Sequence, residues 1–212
     1  RLGERLKLEF DGPEPGRAHA RLQAELENFR AAWRWATRHR HLDTLDACAR
    51  ALGGYHLDRW NRDEAVTLWL AALAALDEAN PVHDAKLDEK LGATIGALLG
   101  HLGYVYAING RLDEAEAFAE RGLALLRPLR DELPDTFGLF MCFIALSIVA
   151  EGRGQLERAI GYIQEQETLG LVKFQGRHLN NLAILEMRSG NYVVAQDYAQ
   201  RAIEHNRRDG FL

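Results

Sequence analysis

Leu102–Pro128 reads LGYVYAINGRLDEAEAFAERGLALLRP, and its reading decides the fold. The frame it sets returns three times. Leu52-Gly53, Leu146-Ser147 and Leu182-Ala183 repeat its opening step of a leucine and a small residue. Seven residues after each small residue stand Trp60, Gly110, Gly154 and Gly190, and five further on stand Ala65, Ala115, Ala159 and Ala195. Two helices packed antiparallel need one place where their backbones nearly touch. A small residue on the first helix and an alanine on the second supply it. The glycine between them ends the first helix, because the residue after a helix commonly takes positive φ, which costs glycine little. The next helix then opens on acids, Asp63-Glu64, Asp113-Glu114 and Glu157, which suit the positive end of the helix dipole.

Outward from this frame the whole chain reads as helix. A long first helix is expected from about Arg17 to Arg40, with Leu22, Leu26, Phe29, Trp33 and Ala36 on one face. Helix pairs are then expected at 43–58 with 61–79, 85–109 with 111–127, 135–152 with 155–169, and 173–189 with 191–207. That gives an all-α chain of about nine helices, with no sustained period-two alternation to suggest strands. The expected organisation is one helical-repeat domain over 1–212: a leading segment 1–42, then repeats at 43–79, 85–128, 135–170 and 173–208. Longer connections fall at Asn80-Pro81-Val82-His83-Asp84 and between Pro128 and Pro134, where proline interrupts helix.

Composition narrows the function classes. The formal net charge is -5, which argues against a grip on nucleic acid through bulk positive charge. The only two cysteines, Cys48 and Cys142, lack metal-ligand spacing and fit a reducing cytoplasm. Residues 91–108 hold no Asp, Glu, Lys or Arg and touch the lower length limit for a membrane span. Gly92, Gly96 and Gly100 add small-residue spacing. His101, Tyr104 and Asn109 fit lipid poorly, so a buried helix of a helical array is the expected reading, with no membrane partner. No initiator Met opens the chain, and a piece of a longer protein is expected.

The Leu-Gly step, Tyr106 three residues after Gly103, Gly110, Ala115 and the closing Pro128 together resemble a tetratricopeptide repeat. The fourth unit, Leu182 to Ile203, is a fair match. The third carries Ala150 at the aromatic position, and the first carries Trp60 at the turn glycine and His56 at the aromatic. The frames lie 50, 44 and 36 residues apart, against a nominal period of about 34. Leu22 to Ala36, LQAELENFRAAWRWA, is similar to the segment that opens the helical-repeat arm of bacterial signal-transduction ATPases of the STAND class, including LuxR-type and antibiotic-pathway transcription regulators. The resemblance implies a right-handed superhelix of helix pairs and a non-catalytic regulatory sensor arm. It also implies a parent chain whose ATPase and DNA-binding domains lie elsewhere. A free-standing adaptor joining two proteins is the alternative.

Catalytic and cofactor chemistry finds no foothold in the sequence. There is no phosphate-cradling Gly-x-x-x-x-Gly-Lys-Ser/Thr run, no His-x-x-x-His pair, and no histidine near either cysteine. No catalytic residue, cofactor or metal is therefore expected. The basic cluster Arg38-His39-Arg40-His41 ends a helix, where cations suit the dipole. Trp33 and Trp69 fit apolar helix faces, while Trp35 and Trp60 are left open between surface and core.

A ligand site follows from the array. Stacked pairs curl so that their first helices line a concave groove. Register then nominates Gly100, His101 and Tyr104 in the second unit, Ile144 and Ile148 in the third, and Asn180, Asn181 and Ile184 in the fourth, with Arg177 one turn earlier. The expected occupant is a protein or peptide segment, or a small-molecule inducer. Paired amides suit an extended backbone because each donates and accepts. Asn181 alternatively bonds a neighbouring helix. The groove lacks the several Lys and Arg of a carboxylate clamp.

Overall fold

A computed structural model describes residues 15–49, 62–77, 85–133, 136–171 and 175–208. The chain is all-α, with ten helices and no strand among the described residues. They are α1 Pro15–Ala24, α2 Leu26–His39, α3 with its described part at 42–49, α4 Arg62–Asp77, α5 Ala85–Ile108, α6 Leu112–Leu126, α7 Phe137–Gly152, α8 Leu156–Thr168, α9 Gln175–Arg188 and α10 Tyr192–Arg208. The expected single first helix is corrected to two, which accounts for the tenth. At Glu25 the backbone turns to φ -105°, ψ 9°. Its N–H is shared between the carbonyls of Arg21 (3.2 Å) and Leu22 (3.1 Å), a local tightening of the helix. Neither Gly nor Pro marks this bend.

The helices form two compact units, Arg1–Leu98 and Leu99–Leu212. In the first, α2 packs on α4. Trp33 and Trp69 are each 1% exposed, as their apolar faces required, and Trp33 Nε1–H donates to Leu68 O at 3.1 Å. Arg30 forks onto Glu64 (Nε to Oε1 2.5 Å, Nη2 to Oε2 2.7 Å) and also reaches Glu27. These carboxylates hold the Arg30 guanidinium still further above its ordinary range. Helix α2 ends on Arg40 in the left-handed region (φ 51°), an uncommon place for a residue with a Cβ. Arg38 and Arg40 turn their guanidiniums onto the carbonyls of Arg34 and Ala75. The basic cluster thus caps a helix and ties it to α4. Ala65 of the first repeat frame is buried, whereas Leu52-Gly53, His56, Trp60 and the 80–84 connection lie outside the described residues.

The second unit shows the repeat physically. Three first helices end in the same way. Gly110, Gly154 and Gly190 have φ of 76°, 74° and 84°. At Gly110 the amide donates back to Ala107 O, and the next amide, Arg111, donates to Tyr106 O, both at 3.0 Å. The same pair of bonds recurs at Gly154 and Gly190. The small residue and the alanine twelve positions later then meet. A Cβ on Gly103 would lie 3.2 Å from Ala115 O and 3.1 Å from Ala119 Cβ. One repeat on, Ser147 Oγ donates to Ala159 O at 3.1 Å. Ala115, Ala159 and Ala195 are all buried.

Neighbouring pairs join through close backbones and surface ion pairs. A Cβ on Gly100 would sit 2.6 Å from Gly138 O of α7. Arg153, just past α7, bridges Asp113 and Glu116 of α6 at 2.7 Å each. Arg127 reaches Glu165 at 2.6 Å, and Arg188 pairs with Glu151. Such exposed pairs set register more than they add stability. Helix α5 is long and apolar enough to cross a membrane, but 67% of its apolar window is buried inside the structure.

Candidate functional site

Tyr104 of α5, Ile148 of α7 and Ile184 of α9 hold the same register position on successive first helices, a rank in the sequence frame. Each follows its helix's small anchor, Gly103, Ser147 or Ala183. Tyr104 and Ile148 are half-buried against a core of Ile144, Ile163, Leu182 and Leu185. Ile184 is 41% exposed, so the rank opens toward the fourth unit. Beside it Asn180 is exposed and Asn181 half-buried. Arg177 lies in α9, but its side chain is outside the described residues.

The other nominated residues sit deeper. Gly100 is spent on the approach of α7, where Gly138 O and Cys142 Sγ leave no room for a side chain. His101 is 3% exposed, with its ring 5.7 Å from that of Phe137. Ile144 is core, at 9% exposure. Burial here depends on how α7 crosses α5, and periodicity within one helix carries no information on that crossing.

Two residues next to the nominated positions were not nominated. Phe140 packs on the same core one turn before Ile144, with its ring 5.9 Å from that of Phe137. Met187, three residues past Ile184, is 52% exposed. Extending the 144–148 stripe back by four, and the 180–184 stripe on by three, would have found both.

Cys48 and Cys142 are buried, and desolvation pushes their thiols up to about 11 and about 12. A thiol held so far above neutral pH is a poor nucleophile. Among the described residues no group of three His, Cys, Asp or Glu side chains converges on a metal position. Arg111 holds the exposed Glu114 carboxyl below its ordinary range, and Lys90 does the same to Asp43. His178 is 2% exposed, and burial lowers its pKa despite the Glu167 carboxylate 3.8 Å away. Trp35 is 44% exposed on α2 and stacks on His39 at 4.9 Å.

The helix-turn-helix of α5 and α6, with a buried glycine on one helix and buried alanines on the other, is what a family comparison finds. Residues 96–127 match the family model described as tetratricopeptide repeat. The chain carries a tetratricopeptide-repeat region. No curated protein matches the chain. The matched span runs from mid-α5 to the residue after α6 and takes in Leu102 to Arg127 of the repeat frame. Tetratricopeptide repeats are generally protein-interaction scaffolds, and the matched span suggests an interaction module.

Proposed function

We propose that this chain is the regulatory sensor arm of a larger bacterial signalling ATPase or transcription regulator, acting in the cytoplasm without catalysis or cofactor. On this reading residues 1–212 work as one helical-repeat domain. A protein or peptide segment, or a small-molecule inducer, docks along Tyr104, Ile148 and Ile184, with Asn180, Asn181 and Arg177 at the polar end. The observation that carries the docking is the rising exposure along that rank, from half-buried Tyr104 to 41% exposed Ile184, with two amides alongside. An apolar floor with a few polar groups at one end is the usual composition of a ligand site. The placement in a signalling ATPase is supported by the resemblance of Leu22 to Ala36. Exposed Trp35 within that segment offers a surface for an adjoining domain. Such an arm regulates only if its ligand binds one state of the parent better than the other. No direct contact with nucleic acid or membrane is part of the proposal.

The alternative is a free-standing adaptor, favoured by a second set of exposed apolar residues, Tyr192 (71%), Val193 (84%) and Ile203 (39%) of α10, none of which belongs to the rank. Native mass separates the two. A blot of source cells with an antibody to this chain is expected to show a band far above 23.9 kDa. A band near 23.9 kDa would sink the sensor-arm reading and leave the adaptor. The docking face is tested by probing a tiled peptide array with the chain and with an Asn180→Ala/Ile184→Asp variant. Capture should fall at least tenfold while helicity is kept. Capture that persists removes α9 from the site.

A further inference from the structure

The stretch from Asn28 to Leu42 holds no Asp or Glu, yet it carries Arg30, Arg34, Arg38, Arg40 and two histidines in a chain whose net charge is -5. Arg30 is spent on Glu64 and Glu27. The carboxylates that bound the stretch are spent too, Glu27 on Arg30 and Asp43 on Lys90. Arg34, Arg38 and Arg40 are exposed and have no carboxylate partner among the described residues. The bonds with which Arg38 and Arg40 cap the helix each use Nε alone, at 3.3 Å to Arg34 O and 3.1 Å to Ala75 O, and leave both Nη groups of each unspent. The Arg34 guanidinium keeps all five of its donors. Against these three cations the end of the helix dipole supplies only about half a negative charge.

Trp35 stands among them, 44% exposed. One turn separates Arg34 from Arg38, and one turn separates Trp35 from His39, so the two couples form neighbouring stripes on the outer face of α2. The opposite face, with Phe29, Trp33 and Ala36, is buried. The Trp35 ring stacks on His39 at 4.9 Å and meets His41 at 5.3 Å. His39 Nδ1–H donates to Trp35 O at 2.9 Å, since a carbonyl only accepts. His41 Nδ1 accepts the Thr44 N–H at 3.4 Å, which leaves its Nε2–H as a donor. Backbone bonds and one indole thus hold both imidazoles in place beside unspent guanidiniums. A surface whose rings are already fixed loses little freedom when a partner docks.

We propose that this outer face of α2 binds an acidic polypeptide segment, with Arg34 and Arg38 taking its carboxylates and Trp35 giving an apolar contact beside them. The spacings agree. Arg34 and Arg38 are four residues apart, about 6 Å along the helix. Alternate side chains of an extended segment repeat every ~6.5–7 Å, so successive carboxylates on one side of it reach successive arginines. A guanidinium takes a carboxylate through two parallel N–H bonds, a fit that a lysine lacks. Nucleic acid is the weaker fit: the patch offers few cations for a grip that depends on many phosphate contacts, and the rest of the chain is net negative. The proposal names the chemistry of the partner that Trp35 faces. It rests only on the chain's role as an interaction module, holds for an arm and an adaptor alike, and shares no residue with the docking rank.

Fluorescence anisotropy of a labelled peptide alternating glutamate and threonine, titrated with the 212-residue chain at low salt, tests the proposal. Saturable binding is expected, at least tenfold weaker for the same peptide with glutamine in place of glutamate. It should be lost in about 1 M salt, where charges are screened within about 3 Å. Arg34→Gln/Arg38→Gln should weaken binding at least tenfold with helicity by circular dichroism unchanged, and each single change should give an intermediate loss. Arg201→Glu/Arg207→Glu, which alters exposed arginines of α10, should weaken it less than twofold. Absence of saturable binding by the glutamate peptide overturns the proposal. So does binding undiminished by Arg34→Gln/Arg38→Gln, or diminished as much by the α10 changes. A single-stranded oligonucleotide held at least tenfold more tightly through the same two arginines would overturn the choice of polypeptide as the partner.

Discussion

Three glycines of the second unit submit to the same change, Gly→Ala, and the structure assigns each a different outcome. At Gly161, on the exposed side of α8, an added Cβ meets nothing within 4 Å. Only helix propensity acts there, and alanine gains about 0.8–1 kcal/mol. At Gly110 the Cβ again meets nothing, but φ is 76°. Alanine in that left-handed geometry costs about 1–2 kcal/mol. At Gly100 the residue is helical and gains the same propensity, yet the Cβ lands 2.6 Å from Gly138 O and 2.9 Å from Cys142 Sγ. The thiol can turn aside; the carbonyl belongs to the backbone of α7 and cannot. Helices α5 and α7 must part by at least 0.4 Å to bring that contact to the 3.0 Å floor of real Cβ atoms. Overpacking of this size costs about 1–3 kcal/mol, which outweighs the propensity gain over most of its range. The expected order of stability is Gly161→Ala above wild type, with Gly110→Ala and Gly100→Ala below. At this chain length about 1 kcal/mol moves a thermal midpoint by about 2–4 °C. Urea and thermal midpoints followed by helical ellipticity give the order. Gly110→Asn adds a check, because asparagine tolerates the left-handed region better and should recover part of the loss. A Gly100→Ala midpoint at or above that of Gly161→Ala would refute the close crossing of α5 and α7.

Two further expectations bear on the frame and on pH. Ala115→Leu and Ala195→Leu should each lower stability by about 1–3 kcal/mol, since both side chains are buried at the helix–helix approach. Unchanged unfolding midpoints for both would show that the register is wrong. His178 is buried with its pKa held below the ordinary 6.5, so between the folded and unfolded values the unfolded chain binds more protons. Its neutral form is accommodated fully above about pH 6.5, and stability should fall as the pH drops below that value. Urea midpoints at about pH 7.5 and about pH 5.5, either side of that value, measure the difference. His178→Gln should shrink it, and Glu167→Gln, which removes the carboxylate that favours the charged ring, should widen it.

What could be read in the chain, and what could not, divides along one physical line. The pairs at 85–109 with 111–127, 135–152 with 155–169 and 173–189 with 191–207 were legible because each is a local pattern: an apolar period, a glycine stop, a small residue twelve before an alanine. Gly110, Gly154 and Gly190 do adopt positive φ. The bend at Glu25 and the left-handed cap at Arg40 were not legible, because neither carries the residue type that usually marks such geometry. The proposed docking rank was legible only in part. Tyr104, Ile148, Asn180 and Ile184 reach the surface or its edge, whereas Gly100, His101 and Ile144 are buried.

The sequence by itself determined which residues pair within a helix hairpin, because those contacts lie within one turn or one connection of each other along the chain. Only the tertiary structure decided what covers each hairpin's outer face. Gly100 is closed by α7, and Ile163 by α9. Tyr192, Val193 and Ile203 of α10 are exposed among the described residues. The period of a helix says which residues share a face, but a face becomes core or surface only when another helix is laid against it.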